Sequence, residues 1–372
     1  MRIIFLSTMK GWRWGGSEEL WSQAASRLQS AGNDVLVAVP DWPERAPQVA
    51  ALTRLGIPIY ASSFGKHRGL LRRAWRRAMH DPSKTPLWFK QFQPDLVVIS
   101  QGHNSGGFNW ARICKASRVP YAIIVQCNSE EWWFGETLPE ALQAYRSASR
   151  VFCVSEANLQ LLRLQLGDPL PNAEVVRNPF NVSTEVAPPW SSSADRWKIA
   201  SVARLDPAAK GHDILLQTLA LPQWKERPVE VNLYGSGPDE PVLRRLTQMF
   251  GLTDVHFRGH CSDVRSIWAG NHLLALPSRY EGLPLALVEA MWCARPAVVT
   301  DVGGNSELCV ENITGFVAPA PTVNAFSQAL ERAWQSRERW QQMGIAARGM
   351  VEARIPRDPI QAFCDRLRNT VP

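Results

Sequence analysis

The sequence predicts an α/β protein made of two parallel-sheet domains, and three observations support this. The chain has 372 residues, more than one ordinary hydrophobic core accommodates. Short apolar runs alternate with helical stretches in both halves, which is typical of parallel sheets covered by helices on both faces. Between the halves, residues 181–198 are rich in proline and serine and lack hydrophobic periodicity, so we expect a linker with its hinge near 180–195.

Each half repeats the same alternation of strand and helix. In the first half we expect strands at 2–7, 34–39, 57–61, 95–100, 121–125, 150–154 and 174–177. In the second half we expect them at 198–203, 229–234, 254–258, 272–276, 297–300 and 316–317.

Composition limits the class of protein. Hydrophobic residues make up 45%, and the seven cysteines are scattered without a Cys-x-x-Cys pair. This pattern favours reduced thiols over disulfides or zinc. The first residues form a short strand without a signal-peptide core, and no apolar run approaches the ~20 residues that span a bilayer. We therefore expect a soluble, cytoplasmic protein.

Two carboxylates flank the start of an apolar helix. Glu281 and Glu289 have seven residues between them, and Pro284 suits the first helical position. We expect the helix to end near Arg295, before a proline. In one interpretation Glu281 is an ordinary N-terminal helix carboxylate and Glu289 a solvated residue. In the other, both residues bind a ligand.

The start of this helix is suited to phosphate. The N–H groups of Gly282 and Leu283 are expected to point outward at the positive end of the helix dipole. A carboxylate beside a phosphate site is expected to bind some group other than the phosphate, and sugar hydroxyls are the obvious candidates. This combination indicates a site for a sugar joined to phosphate.

Other phosphate-facing elements follow the first strand of each half. Gly15 and Gly16 lie in a loop before the first helix, a weak signal because no Gly-x-Gly-x-x-Gly is present. In the second half, Arg204 offers a bidentate guanidinium and Lys210 a compact charge, both suited to pyrophosphate. Gly235 begins a Gly-x-Gly-Pro turn.

The motifs together resemble one family. Gly303-Gly-x-x-Glu307 and Gly315-Phe-x-x-Pro319 follow the Glu281–Glu289 segment. This set resembles the retaining glycosyltransferases of the glycogen-synthase-like group, family 4 or glycosyl transferases group 1. The resemblance implies the GT-B fold, with two Rossmann-like domains whose parallel sheets face a central cleft. It assigns acceptor binding to residues 1–185, donor binding to 186–355, and a returning helix to 356–372.

The resemblance also assigns roles to the motif residues. Arg204 and Lys210 would bind the donor diphosphate and stabilise the leaving nucleotide, while Glu281 would contact the donor sugar and Glu289 the ribose. The remaining donor-binding positions would be Gly15, Gly16, Gly235, Gly282, Leu283 and Pro284. Because the sequence contains no Asp-x-Asp, we expect no metal and no cofactor beyond the nucleotide-sugar donor.

The sequence departs from the family at several positions. Gln126 stands where family members often carry a histidine that contacts the donor sugar. Either this glutamine fills the role or His103 does. Arg295 replaces a usual glycine, and Arg177-Asn-Pro179 replaces a common Pro-Asn-Gly.

The sequence says less about the acceptor than about the donor. Trp14 and His103 are candidate acceptor or sugar contacts, because aromatic faces stack on sugar rings, although the tryptophans equally suit the protein interior. The sequence pattern of the Arg68–Arg77 segment predicts a basic amphipathic helix. It suits either an anionic membrane surface or an ordinary solvated face.

We therefore predict retaining, metal-independent transfer of a hexose-type sugar from a nucleotide-diphosphate sugar. The acceptor would be a glycan, glycolipid or small hydroxyl compound, in surface polysaccharide or lipopolysaccharide synthesis, with the enzyme cytoplasmic or peripheral on the inner membrane face. One alternative is a nucleotide-sugar 2-epimerase of the same fold. Another, suggested by the net charge of +7, is a non-enzymatic basic protein that binds membrane or nucleic acid. No nucleic-acid motif accompanies that charge, so we expect no nucleic-acid partner.

Overall fold

A computed structural model describes residues 1–9, 11–62, 85–190 and 196–370. The chain divides into two compact units, one formed by Met1–Pro179 with Asp358–Pro372 and the other by Phe180–Arg357. The Arg68–Arg77 segment lies outside the described residues.

The first unit contains a seven-stranded parallel sheet in the order β3-β2-β1-β4-β5-β6-β7. Its strands are β1 Arg2–Ser7, β2 Asp34–Val39, β3 Ile59–Ala61, β4 Leu96–Gln101, β5 Tyr121–Val125, β6 Arg150–Cys153 and β7 Ala173–Val175. Its described helices before the second unit are α1 Gly16–Ser30, α2 Pro47–Arg54, α3 Leu87–Phe92, α4 Phe108–Ala116, α5 Leu138–Ser147 and α6 Glu156–Leu166, with a 3-10 turn at Gly135–Thr137.

The core of this unit has two layers, one on each face of the sheet. Along β1, Ile4 and Leu6 enter one hydrophobic cluster, while Ile3 and Phe5 enter the other. This follows from the alternation of side chains along a strand. Because both faces are covered, the strands are continuous apolar runs.

The second unit contains a six-stranded parallel sheet in the order β10-β9-β8-β11-β12-β13. Its strands are β8 Trp197–Val202, β9 Val229–Tyr234, β10 Val255–Gly259, β11 Leu273–Leu276, β12 Ala297–Thr300 and β13 Gly315–Ala318. Its described helices are α7 Pro207–Lys210, α8 His212–Leu219, α9 Pro222–Lys225, α10 Glu240–Met249, α11 Val264–Gly270, α12 Leu285–Trp292, α13 Asn305–Leu308, α14 Val323–Gln335 and α15 Trp340–Arg354, with a 3-10 turn at Arg337–Arg339.

Both sheets agree with the predicted fold class of parallel α/β domains. Every predicted strand is present, with ends that differ by a few residues. Most of these strands are short, buried apolar runs rich in β-branched residues, so the local pattern identifies them, whereas β3, β7 and β10 are partly exposed.

The last helix, α16 (Pro359–Arg368), belongs to the first unit. Ile360, Phe363 and Leu367 join the same hydrophobic cluster as α1. The Phe363 ring meets Phe152 edge-on, with 5.3 Å between ring centroids. The C-terminal segment is therefore part of the first unit's core.

The described part of the predicted linker segment belongs to the second unit. The break between the units follows Pro179, and residues 180–190 pack on the second unit. Three arginines of that unit donate to backbone carbonyls of this segment: Arg348 to Thr184, Arg265 to Val186 and Arg295 to Pro189. Prolines and serines suggested a free linker, but these distant donors hold the chain in place.

We expect Phe363→Ala to destabilise the first unit by roughly 3–5 kcal/mol, because it removes a buried ring and leaves a cavity. Arg368→Ala is the matched control in the same helix, since it breaks only an exposed pair with Asp365 and is expected to cost below about 1 kcal/mol. Urea denaturation of the whole chain measures both. Equal destabilisation by the two variants would contradict the packing of α16.

Candidate functional site

The loop before α12 carries the first predicted carboxylate. It follows β11, and the helix begins at Leu285 with Pro284 as its N-cap, in an extended conformation (φ −69°, ψ 130°). Pro284 was predicted at the first helical position, so the prediction was one residue early. Placed there, the proline still leaves the first N–H groups of the helix without intrahelical partners.

The predicted end of α12 near Arg295 was also wrong, since the helix ends at Trp292. Ala294 adopts a left-handed conformation (φ 56°), and the Arg295 N–H donates to the Ala290 carbonyl over 2.8 Å. This closure is typical of a helix C-terminus. The buried Arg295 guanidinium donates to the carbonyls of Asn271 and Cys293, so this family departure has a packing role.

Glu281 forms a partly buried ion pair with Lys210. The Lys210 Nζ lies 2.6 Å from Glu281 Oε1, and the Ser278 hydroxyl donates to the same oxygen over 2.7 Å. Glu281 is only 5% exposed. Two residues separated by 71 positions in the sequence thus meet at the carboxyl edge of the sheet.

A glycine holds Lys210 against the end of β11. Gly211 has φ 65°, and a Cβ there would lie 1.9 Å from the Pro277 carbonyl oxygen. Only glycine permits this approach of the two backbones. The lysine therefore has a fixed origin beside the Glu281 loop.

A second ion pair reinforces the same junction. Arg279 donates to both carboxylate oxygens of Asp213, each over 2.8 Å, and to the Pro207 carbonyl over 2.6 Å. Burial raises the pKa of Asp213, but the hydrogen bonds and charge of Arg279 outweigh burial, so the pKa is lowered. Neither Ser278 nor Arg279 was among the predicted site residues, although both belong to the short loop before Glu281.

Arg204 follows β8 and lies beside the predicted glycine turn. Its guanidinium is 3.5 Å from the Asp206 carboxylate, with its side chain 29% exposed. A Cβ on Gly235 would lie 2.0 Å from the Ala203 carbonyl oxygen. The close contact of these two strand ends fixes the start of the Arg204 loop.

Glu289 is buried, so its interpretation as a solvated helix residue is wrong. It is 4% exposed, and its Oε1 accepts the Asn181 N–H over 3.0 Å. Phe180 packs on the Trp292 ring one turn further along the helix, with 5.4 Å between centroids. A carboxylate inside a helix is thereby tied to the segment that enters the second unit.

The Gly-Gly-x-x-Glu turn supports the Glu281 loop. Gly303 has φ 51°, and a Cβ there would lie 2.2 Å from the Glu281 carbonyl oxygen. The Gly304 N–H donates to the Gly282 carbonyl over 2.6 Å. Leu283 is buried in the core beneath.

In the first unit, Gln126 follows β5 and is 3% exposed. Its Oε1 accepts from the Asn178 amide over 3.0 Å, whereas its Nε2 has no hydrogen-bond partner among the described residues. His103 is stacked on Trp132, with centroids 3.7 Å apart, and burial lowers its pKa. Of the two candidates for the histidine role, Gln126 is the buried one with an unused donor.

The glycine loop of the first unit ends at α1. Gly16 is the first residue of that helix and Gly15 its extended N-cap. Trp14 is half-buried, and its indole N–H donates to Glu19 Oε1 over 2.7 Å. Glu18 is 3% exposed, and burial raises its pKa to about 7 despite the opposing hydrogen bond from Ser7.

Two family models match most of the chain. Residues 14–184 match the model described as Glycosyltransferase Family 4. Residues 196–336 match the model described as Glycosyl transferases group 1. The chain belongs to the glycosyltransferases of family 4, group 1. The predicted family and fold class are confirmed.

Curated relatives match part of this chain. The α-D-kanosaminyltransferase of Streptomyces kanamyceticus is 33% identical over 141 residues, which are 37% of this chain and 36% of the relative. The D-inositol 3-phosphate glycosyltransferase of Gordonia bronchialis is 31% identical over 166 residues, or 41% and 36%. Each match spans about a third of the relative's length.

Solved structures match the whole chain in fold. Anabaena HepE in complex with UDP and glucose has a TM-score of 0.76 at 21% identity, covering 99% of each chain. The lipopolysaccharide outer core galactosyltransferase WaaB, in its apo form, has a TM-score of 0.72 at 18% identity, also covering 99% of each. At these identities the likeness concerns the fold.

The described residues contain neither a cluster of metal ligands nor a helix that could span a membrane. Over 1–9, 11–62, 85–190 and 196–370, no three His, Cys, Asp or Glu side chains are grouped as a metal site. In the same ranges, every helix is too short or too polar to cross a membrane.

We expect Gly303→Ala to destabilise the second unit by more than about 1 kcal/mol, because the new Cβ meets the Glu281 carbonyl and the backbone angle is strained. Gly349→Ala is the matched control, because that glycine lies inside α15 with open space around its Cβ position. The control should be neutral or stabilising by up to about 1 kcal/mol. Chemical denaturation compares them, and equal stability of the two variants would contradict the close approach at Gly303.

We expect Glu18→Gln to stabilise the first unit by up to about 3 kcal/mol above pH 7. The unfolded carboxyl ionises near pH 4.5 and the folded one near pH 7. Wild-type stability therefore falls as the pH rises between these values. The advantage of the variant should shrink below pH 7 and vanish below pH 4.5. Urea denaturation across this range measures it. Glu136→Gln, an exposed exchange, controls for the lost charge, and a pH-independent difference for Glu18→Gln would contradict the assignment.

Proposed function

We propose that this protein transfers a hexose-type sugar from a nucleoside-diphosphate sugar to a hydroxyl acceptor, with retention and without a metal. The observation that carries the proposal is the partly buried ion pair of Lys210 and Glu281 before α12, in which Nζ and Oε1 are 2.6 Å apart. A cation, a carboxylate and free helix N–H groups together suit a sugar bound to diphosphate.

In the proposed reaction, the bond between the anomeric carbon and the diphosphate oxygen breaks, and the diphosphate takes the electron pair. The acceptor oxygen bonds to the anomeric carbon on the same face and gives up its proton to the departing diphosphate. The transition state carries positive charge on the sugar and added negative charge on the diphosphate. Fixed cations and N–H dipoles directed at that negative charge lower the barrier.

Lys210 and Arg204 would supply the cations. An ammonium has three donors, and one of them pairs with Glu281. We assign the others to the diphosphate, together with the guanidinium of Arg204. The same two residues would replace a metal, which is why we propose a metal-independent reaction.

Glu281 would accept hydrogen bonds from donor-sugar hydroxyls, and Glu289 from the ribose. The Glu281 carboxylate has a fixed position because Lys210 and Ser278 both bond its Oε1. Such preorganisation favours recognition of hydroxyls at defined positions. In the first unit, we assign Gln126 Nε2 to a sugar hydroxyl, since it is a buried donor without a partner among the described residues.

The acceptor class, the biosynthetic role and the cellular location are also proposals. A relative named Vi polysaccharide biosynthesis protein VipC/TviE and the fold relative WaaB support a glycan or lipid-linked acceptor in surface polysaccharide or lipopolysaccharide synthesis. The seven cysteines are free and five of them are buried, which supports a reducing cytoplasm. Peripheral membrane attachment would use the Arg68–Arg77 segment, outside the described residues. Co-sedimentation with anionic vesicles at low and high salt tests it.

A donor panel tests the class of substrate. Thermal shift with UDP-, GDP-, ADP- and TDP-sugars should reveal at least one stabilising nucleotide, and UDP comes first because HepE was solved with UDP-glucose. We also expect the protein to hydrolyse the same donor slowly when no acceptor is present. No stabilisation by any nucleotide would contradict the proposal, and acceptor-free epimerisation would favour the 2-epimerase instead.

We expect Lys210→Ala and Arg204→Ala to lower kcat by about 100-fold or more, because each removes a fixed partner of the transition-state charge. Glu289→Ala should mainly weaken nucleotide binding, and Gln126→Ala should be milder than loss of either cation. Steady-state kinetics with the donor found above measures these effects. Lys225→Ala, an exposed lysine at the end of α9, is the control. Full activity of Lys210→Ala would remove the basis of the mechanism.

A further inference from the structure

The chain crosses from the first unit to the second directly after Pro179. Just before this proline, the Asn178 side chain donates to Gln126 Oε1 over 3.0 Å. Just after it, the Asn181 N–H donates to Glu289 Oε1, also over 3.0 Å. A short length of chain therefore bonds to two side chains that we assigned to the donor, one in each unit.

We call residues 178–181 the crossing segment. On the first-unit side it follows Val176, which is part of that unit's core and whose N–H donates to the Cys153 carbonyl over 2.9 Å. On the second-unit side it includes Phe180, whose ring packs on Trp292 with 5.4 Å between centroids. Each end of the crossing segment is therefore held by the packing of its own unit.

The crossing segment has few free backbone rotations. The ring of Pro179 fixes its own φ at about −65°. It also restricts the preceding residue, Asn178, to extended conformations. A displacement at one end is therefore expected to reach the other end, because the chain between them absorbs little of it.

The side chain of Gln126 depends on this segment for its orientation. Within the described part of the chain, Gln126 Nε2 and Asn178 Oδ1 have no hydrogen-bond partner. Both side chains are buried. Their mutual bond is thus what fixes the two amides, and removal of either one releases the other.

Glu289 is able to hold the crossing segment and a ribose at the same time. A carboxylate has two oxygens and accepts up to about four hydrogen bonds. The side chain is buried on α12, so the helix sets its position and the Asn181 N–H helps to set its orientation. An anchored crossing segment therefore presents this carboxylate in one defined orientation.

We propose that Asn178 is a positioning residue that links the two donor contacts, Gln126 in the first unit and Glu289 in the second. Nucleotide binding at Glu289 then orders Gln126 for the sugar through the crossing segment. Because linkage is reciprocal, the bond between Asn178 and Gln126 strengthens nucleotide binding by the same free energy. This inference rests on the proposed function for the roles of Gln126 and Glu289.

Binding of a nucleoside diphosphate tests the link, because UDP lacks the sugar that Gln126 would contact. The probe is UDP, or whichever of GDP, ADP and TDP the donor panel selects, titrated by calorimetry into the full chain. Asn178→Ala and Gln126→Ala cut the same hydrogen bond from its two ends, and each should weaken this binding by about fivefold. If Gln126 acted only as a sugar contact, both variants would bind UDP like the wild type.

A double-mutant cycle separates coupling from general damage. When Glu289→Ala is already present, adding Asn178→Ala should change the affinity for UDP by less than about twofold, because the link is already cut. Asn181→Ala is the matched control, since it removes an exposed side chain and keeps the N–H that bonds to Glu289. This control should bind UDP like the wild type. Equal effects of Asn178→Ala with and without Glu289→Ala would overturn the proposal.

Hydrogen exchange at the Asn181 amide tests the link without any nucleotide. Asn178→Ala and Gln126→Ala should each speed this exchange by about fivefold, even though Gln126 lies in the other unit. Mass spectrometry of peptides that span Asn181 measures it. Faster exchange in a protein that binds none of the four nucleotides would support the link and defeat the glycosyltransferase activity. Nucleotide binding with unchanged exchange in both variants would support the activity and overturn the link.

Discussion

The ion pair between Lys210 and Glu281 is the interaction on which the candidate site depends. Both charges are largely withdrawn from water, and the Ser278 hydroxyl completes the group. Removing one partner of such a pair leaves an uncompensated buried charge, which costs several kcal/mol. A diphosphate bound beside Lys210 would add a second anion to the same cation. The pair therefore holds the lysine beside a carboxylate whose position is also fixed.

Backbone contacts make that pair possible. Gly211 brings the Lys210 loop against the end of β11, and Gly303 brings its turn against Glu281. In both places a Cβ would fall about 2 Å from a carbonyl oxygen. These glycines act by absence of a side chain, so two loops that are distant in sequence meet at van der Waals contact. The ion pair between Arg279 and Asp213 then reinforces the same junction.

The first unit carries a different kind of polar chemistry. Gln126 and Glu18 each keep one buried polar atom without a partner among the described residues. Whichever way the Gln126 and Asn178 amides are oriented, one donor and one acceptor remain after their mutual bond. Buried polar atoms are normally satisfied, so a water molecule or a ligand is expected to complete such positions.

The sequence by itself determined the parallel α/β class, the strands and the family motifs, because hydrophobic runs and glycine spacing are local properties. It also indicated Lys210 and Glu281 as site residues. Only the tertiary structure decided that Lys210 and Glu281 touch, that Glu289 is buried, and that residues 180–190 pack on the second unit. These outcomes depend on contacts between residues that are far apart in the chain. The local sequence around one residue of such a contact does not predict which distant residue it will meet.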